Sequence, residues 1–158
     1  MLRIFFFVIH IQVITMNHIK AIVFLLCVII ISPLRADVHI SKSPGDARVY
    51  FISPRDGQTV STTFNVQFGL SGMGVAPAGV DRENTGHHHM LINTDIATID
   101  MTKPLPATDQ VKHFGGGQTE TELTLPPGEH TLQLLLGNYL HIPHDQPVVS
   151  KKITVIVR

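Results

Sequence analysis

The sequence holds one cysteine and no tryptophan in 158 residues. A lone cysteine excludes an intramolecular disulfide framework and any multi-cysteine zinc or iron–sulfur site. Charge is scarce too. Only 15% of residues are Asp, Glu, Lys or Arg, and 12 acids balance 12 bases. That balance excludes the basic face an electrostatic nucleic-acid binder needs. There is no Gly-x-Ser-x-Gly elbow, no Gly-Lys-Ser/Thr phosphate loop and no recognisable glycosidase carboxylate pair. With none of these motifs the chain is expected not to be an enzyme. Apolar content is ordinary at 44%, which argues against a disordered chain. The length allows one domain.

The first 36 residues differ from the rest. Met16-Asn-His-Ile-Lys20 is a short polar start with a positive charge, and Ala21 to Ile31 is unbroken apolar sequence. Ser32-Pro-Leu-Arg-Ala36 breaks the run and ends in a small residue. This is the order of a secretory signal peptide, with cleavage expected near Ala36. The apolar run is shorter than the roughly 20 residues of a membrane span, so no span is expected in the mature chain. Met16 is expected to be the true start, with residues 1–15 a mis-assigned upstream extension. The mature chain would be Asp37–Arg158, carrying 9 basic and 12 acidic residues, net −3, eight His and no Cys. It would be periplasmic or secreted, and would depend on its core for stability.

Residues 37–47 are polar with Pro44-Gly45 and read as a flexible arm. Beyond them, residues 48–158 show short strand patterns punctuated by turn chemistry. Arg48 to Ile52 is rich in β-branched and aromatic residues, and Ser53-Pro-Arg-Asp-Gly57 is a turn. Thr59–Thr63 is β-prone, Phe64–Phe68 alternates apolar and polar, and Gly69–Thr85 is a long loop. His88–Ile92, Thr119–Leu125, His130–Leu136 and Val148–Val157 read as further strands, with residues 93–117 irregular. Six or seven short strands with Gly/Pro turns imply an all-β fold, a single immunoglobulin-like antiparallel β-sandwich. His130 stands where such domains often place a Tyr that bonds back to the backbone.

Gly86-His-His-His-Met90 is the most unusual segment. On a strand, alternate side chains share a face. His87 and His89 then point one way, and His88 and Met90 the other. A His-x-His pair on one face can grip one ion, because neutral imidazole is a good ligand for zinc, copper or nickel. Further ligands must come from elsewhere: His113 before the glycine run, and His141 and His144 in the last long loop. Asp81, Glu83, Asp95 and Asp145 are carboxylate candidates, and Met73, Met90 and Met101 matter only for copper(I). His88 reads as a packing residue and His130 as a corner hydrogen bond. His39, in the arm, carries no assignment. The glycine-rich loops Gly72–Gly79 and Gly115–Gly117 either approach neighbouring backbone closely or contact a partner.

Together, Gly69–Gly79, Gly86-His-His-His-Met-Leu-Ile-Asn93, His113-Phe-Gly-Gly-Gly-Gln-Thr-Glu120, Pro127–Leu134 and His141-Ile-Pro-His144 form a distinctive set. The set resembles the bacterial family called domain of unknown function 4399, over roughly Tyr50 to Val157. The resemblance implies an exported single-domain protein and no particular activity. Asn93 stands where the family usually has an acidic residue, which puts one ligand or turn bond in doubt.

The sequence therefore leads to an exported binding protein with a His-rich site for a transition metal, copper or zinc. Its expected metal ligands are His87, His89, His113, His141 and His144. The alternative is a metal-free periplasmic module that recognises an envelope protein, with structural histidines.

Overall fold

The computed structural model describes residues 40–158. The leader expected over residues 1–36, with its start at Met16 and its cut at Ala36, lies outside the described residues, as does His39. Nine strands follow in chain order: β1 (Arg48–Ser53), β2 (Gln58–Val60), β3 (Thr63–Ser71), β4 (Gly74–Val75), β5 (Thr85–Ile92), β6 (Val111–His113), β7 (Glu120–Thr124), β8 (Gly128–Gly137) and β9 (Ile153–Val157). The only regular helix among the described residues is one 3-10 turn, Ile96–Thr98, capped by the Asp95 side chain. No helix among them is long and apolar enough to cross a membrane.

The strands form two sheets. The smaller has the order β1-β3-β7, and the larger β2-β9-β8-β5-β4, with β6 also pairing β5. An immunoglobulin domain places its first, second and fifth strands in one sheet and its third, sixth and seventh in the other. Here β1, β3 and β7 take the first set of places, and β5, β8 and β9 the second. The chain is an immunoglobulin-like β-sandwich. The ladders are antiparallel apart from two short parallel pairs, β2 with β9 and β4 with β5, which the expected purely antiparallel fold did not include.

Alternation explains how the sheets adhere. Phe64, Val66 and Phe68 of β3 face Met90 and Ile92 of β5 and Leu132, Leu134 and Leu136 of β8, all buried in one cluster. The intervening residues of β5 and β8 point to the outer face of the larger sheet. Leu91 and Leu135 lie there, yet they are 1% and 0% exposed. The long loops fold over this face and bring Leu105 and Ile142, also buried. The larger sheet is therefore covered on both sides, with a small second apolar cluster outside the sandwich.

Two expectations change. Residues 40–47 are not a loose arm. Ser43 donates its N–H to Asp145 Oδ1 at 3.0 Å, Asp145 donates its own to the Ser41 carbonyl at 3.0 Å, and Asn138 Nδ2 donates to Ser41 Oγ at 3.1 Å. These bonds satisfy backbone that a free arm would leave to water. The second change is β6, which lies inside the stretch expected to be irregular. Only three residues long, it is held by its register on β5, His89 opposite His113 and Leu91 opposite Val111.

Candidate metal centre

The strand β5 supplies the floor of the site. His87 and His89 project to the outer face of the larger sheet, and both are fully buried. Opposite them on β8 stand Gly137 and Leu135. Gly137 matters because it has no side chain: a Cβ there would lie 2.7 Å from His89 Cε1 and 3.1 Å from Nδ1. Only glycine leaves the imidazole its place.

The other two rings come from separate elements. β6 pairs with the free edge of β5 and sets His113 beside His89, ring centroids 5.0 Å apart and stacked at 26°. Phe114 N–H donates to the His88 carbonyl at 3.0 Å and continues the pairing. Gly115 then lets the chain turn past the His113 ring, which a Cβ at that position would strike. His141 sits on a tight loop wrapped around Asn138. The Asn138 side-chain oxygen accepts from Leu140 N at 2.9 Å and Ile142 N at 3.0 Å, and the Asn138 carbonyl accepts from His141 N at 2.8 Å. His141 has φ +66°, a left-handed conformation that costs energy for a residue with a Cβ. The loop enforces it, and the imidazole turns toward β5 as a result.

His87, His89, His113 and His141 thus converge, each offering one ring nitrogen, with these atoms all within 4.8 Å of one another. His87 Nε2 and His141 Nδ1 are 3.1 Å apart. Centroid distances run from 4.6 Å (His113–His141) to 6.0 Å (His89–His141). In a tetrahedral site with metal–nitrogen bonds of about 2.0–2.1 Å, neighbouring donors lie about 3.3 Å apart. The rings need only small rotations to reach that spacing. The group is graded in exposure, with His87 and His89 buried, His141 half-buried and His113 exposed.

Electrostatics favours the neutral form of His87, His89 and His113, the form a metal requires. Burial is the main cause for His87, whose pKa is lowered to about 4, with repulsion from His141 and His113 adding to it. Burial again leads for His89, lowered to about 2, followed by repulsion from His87, His113 and His141. The pKa of His113 is also lowered, by partial burial and then by His141. Hydrogen bonding is incomplete. His87 Nδ1 and both nitrogens of His89 are buried without a hydrogen bond of good geometry, although the His87 backbone mildly favours the charged form of His89; the arrangement is costly and demands an explanation.

The remaining histidines have other work. His144 was expected among the ligands, but it lies outside the group. Its Nε2–H donates to the Thr85 carbonyl at 3.2 Å and fixes the loop to the start of β5. His88 points into the inter-sheet core, its ring 4.7 Å from that of Phe68. The Gly69 and Gln118 backbone mildly favours its charged form, yet burial dominates and lowers the pKa to about 4. Neither nitrogen makes a hydrogen bond of good geometry. His130 forms the expected corner: Nε2–H donates to the Pro126 carbonyl at 2.9 Å, so Nδ1 is the acceptor for Asn93 Nδ2–H, also at 2.9 Å. Asn93 is therefore a turn residue, also bonded to Thr131 N at 2.9 Å, and has no part in the metal site.

The carboxylate and thioether candidates are likewise accounted for. Asp95 caps the 3-10 turn and Asp145 holds Ser43 and Gln146. Asp81 and Glu83 are exposed. Met90 and Met73 pack in or against the inter-sheet core, and Met101 is a half-buried turn residue beyond the 3-10 helix. The site is all imidazole. Sequence reasoning did not single out Gly137 or Asn138, although a Gly-Asn pair closing a strong strand is a turn signal.

The family model for "Domain of unknown function (DUF4399)" matches residues 66–158. The chain belongs to this family. The matched DUF4399 region contains all four histidines of the cluster and the corner residue His130. No curated protein matches the chain. Among solved structures, it is similar to the endo-β-1,4-mannanase from Thermotoga petrophila, with 20% identity over 72% of the chain and a TM-score of 0.42. The chain spans only 20% of that enzyme's length. It is also similar to the fibronectin(III)-like modules of Clostridium thermocellum CbhA, with 10% identity, a TM-score of 0.36, and coverage of 69% of the chain and 92% of the module. At these scores the likeness adds nothing to the fold read from the strands and says nothing of activity.

Proposed function

We propose that this chain is an exported protein that binds one transition metal ion, copper or zinc, through His87, His89, His113 and His141. The observation that carries the reading is their convergence: three separate elements bring one ring nitrogen from each of four imidazoles within 4.8 Å. The bare group supports it further. Without an ion, both nitrogens of buried His89 lack a hydrogen bond of good geometry, at about 1–3 kcal/mol for each unsatisfied group. A metal bonded to one of them removes part of that cost. Copper heads the affinity order for nitrogen sites, and zinc follows. Export rests on the leader of residues 16–36. The role we propose is binding and not catalysis, since the sequence carries no recognisable nucleophile motif or paired-carboxylate setting.

The test is metal content. The untagged chain is purified, analysed for elements, stripped with chelator and titrated with copper and zinc. The expected result is one equivalent bound tightly, lost in both His87→Ala and His89→Ala while the fold persists. Binding no tighter than that of scattered surface histidines would overturn the reading and favour the metal-free module, whose recognition surface would be the loops at Gly69–Gly79 and Gly115–Gly117.

A further inference from the structure

The geometry points to a second ligand at the same centre: a small anion that coordinates the bound ion on its His113–His141 side. This inference rests on the metal reading above. Its first support is charge. All four donors are neutral imidazoles, and no carboxylate belongs to the group. A divalent ion held there keeps both its charges in a site whose inner half is buried, and an uncompensated buried charge is unfavourable.

The second support lies behind the ligands. Metal-bound imidazoles ordinarily donate their other N–H to a carboxylate or carbonyl, which makes them stronger donors. His87 Nδ1 has no such partner, and His89 has only a weak interaction with the His87 backbone, short of a well-formed hydrogen bond. The ion therefore remains a strong Lewis acid.

The third support is access. His87 and His89 are buried, but His113 is exposed and His141 half-buried. The loop after His113 is Gly115-Gly-Gly117, with no side chain to cover the ion. A surface hollow of about 600 Å³, lined in part by Lys112 and His113, adjoins this side. The carboxylate lining it, Asp109, is fully exposed and pairs with Lys112 at 3.8 Å. Charge, Lewis acidity and access favour the same occupant, a monovalent anion bound through one atom.

Sodium azide is the probe. The full chain is loaded with one equivalent of copper(II), and azide is added at constant ionic strength. Visible absorption and electron paramagnetic resonance are followed, and retained copper is measured at each step. The expected result is a saturable azide-to-copper charge-transfer band with copper retained, reversed by excess formate. Three results would overturn the inference. With copper bound, an unchanged spectrum means that the ion has no open position. A band seen only in His113→Ala means that the four imidazoles close the ion. Loss of copper to azide means competition in place of co-ligation. Failure to load copper is distinct from these and removes this inference; failure to load zinc as well removes the metal reading.

Discussion

The metal-free protein should lose stability in mild acid, and the three histidines of β5 set a lower bound on the loss, since burial lowers the pKa of His113 and His144 as well. Burial holds the pKa of His87 and His88 near 4 and that of His89 near 2, against 6.5 for a free imidazole. The folded values are the lower ones, so the unfolded chain binds more protons between the two. Stability present above pH 6.5 is therefore lost as pH falls toward 4. At pH 5 the folded rings are still neutral, while the unfolded ones are about 1.5 below their own pKa. Each ring then contributes a loss of about 2 kcal/mol, whatever its folded value within that range. The three together reach about 6 kcal/mol, comparable with the total stability of many domains. Asp145 adds little in this window: the Ser43 and Gln146 N–H groups hold its pKa below the ordinary 3.8, so the stability it contributes is lost only as pH falls below about 4.

The assay is urea unfolding of the chelator-treated protein at about pH 7.5, 6 and 5, with midpoint and slope fitted at each. Bound metal is absent, so the change reports the rings alone. His88 provides the control, since it lies in the inter-sheet core and not in the metal group. His88→Leu should remove one ring and reduce the acid-dependent loss by about 2 kcal/mol. A loss below about 1 kcal/mol in the parent protein would refute the reasoning, as would a His88→Leu variant with the parent's full pH dependence.

Three further outcomes follow from the same geometry. His144→Ala should retain one equivalent of metal, unlike His87→Ala and His89→Ala, and free metal at a hundredfold over Kd should stabilise the parent by about 2.7 kcal/mol in thermal unfolding. Gly137→Ala should push His89 aside, since the new Cβ would lie 2.7 Å from its ring; calorimetric titration should show metal affinity down about 10- to 100-fold. His130→Ala should cost about 1–3 kcal/mol in urea unfolding by removing two hydrogen bonds, to the Pro126 carbonyl and from Asn93 Nδ2, at about 0.5–1.5 kcal/mol each, with metal affinity unchanged because the corner is remote from the cluster.

The sandwich was legible because its two faces differ. Period-2 alternation in Phe64–Phe68 and the long apolar run of His130–Leu136 survive any choice of register. The short elements were not legible, since their stability comes from neighbours and not from their own composition. β4 is Gly-Val and β6 is Val-Lys-His. Neither has a strand pattern, and each exists because β5 offers an unpaired edge that must be satisfied. The arm misled for a similar reason. Residues 40–47 carry loop composition, but Asp145 and Asn138, about a hundred residues away, bind their backbone and side chains.

The candidate site divides along the same line. His87 and His89 share a face by local rule alone, so one segment of sequence suffices to pair them. Which distant rings join them is a matter of topology. His113 reaches the pair because β6 takes the edge of β5, and His141 because the Asn138 loop holds a strained φ. His144 lies only three residues beyond His141 and has the same chemistry, yet it turns to Thr85. Spacing could not separate the two, but backbone conformation does. The left-handed residue aims one ring at the sheet, and Ile142 and Pro143, both buried, carry the chain on to seat the other at the start of β5. The strain at His141 is retained because its loop is fixed by four hydrogen bonds around Asn138. Glycine at 141 would accept that φ without cost, but it would forfeit the fourth imidazole. The Asn138 loop imposes the strained conformation, and its consequence is the fourth ring that it presents to the cluster.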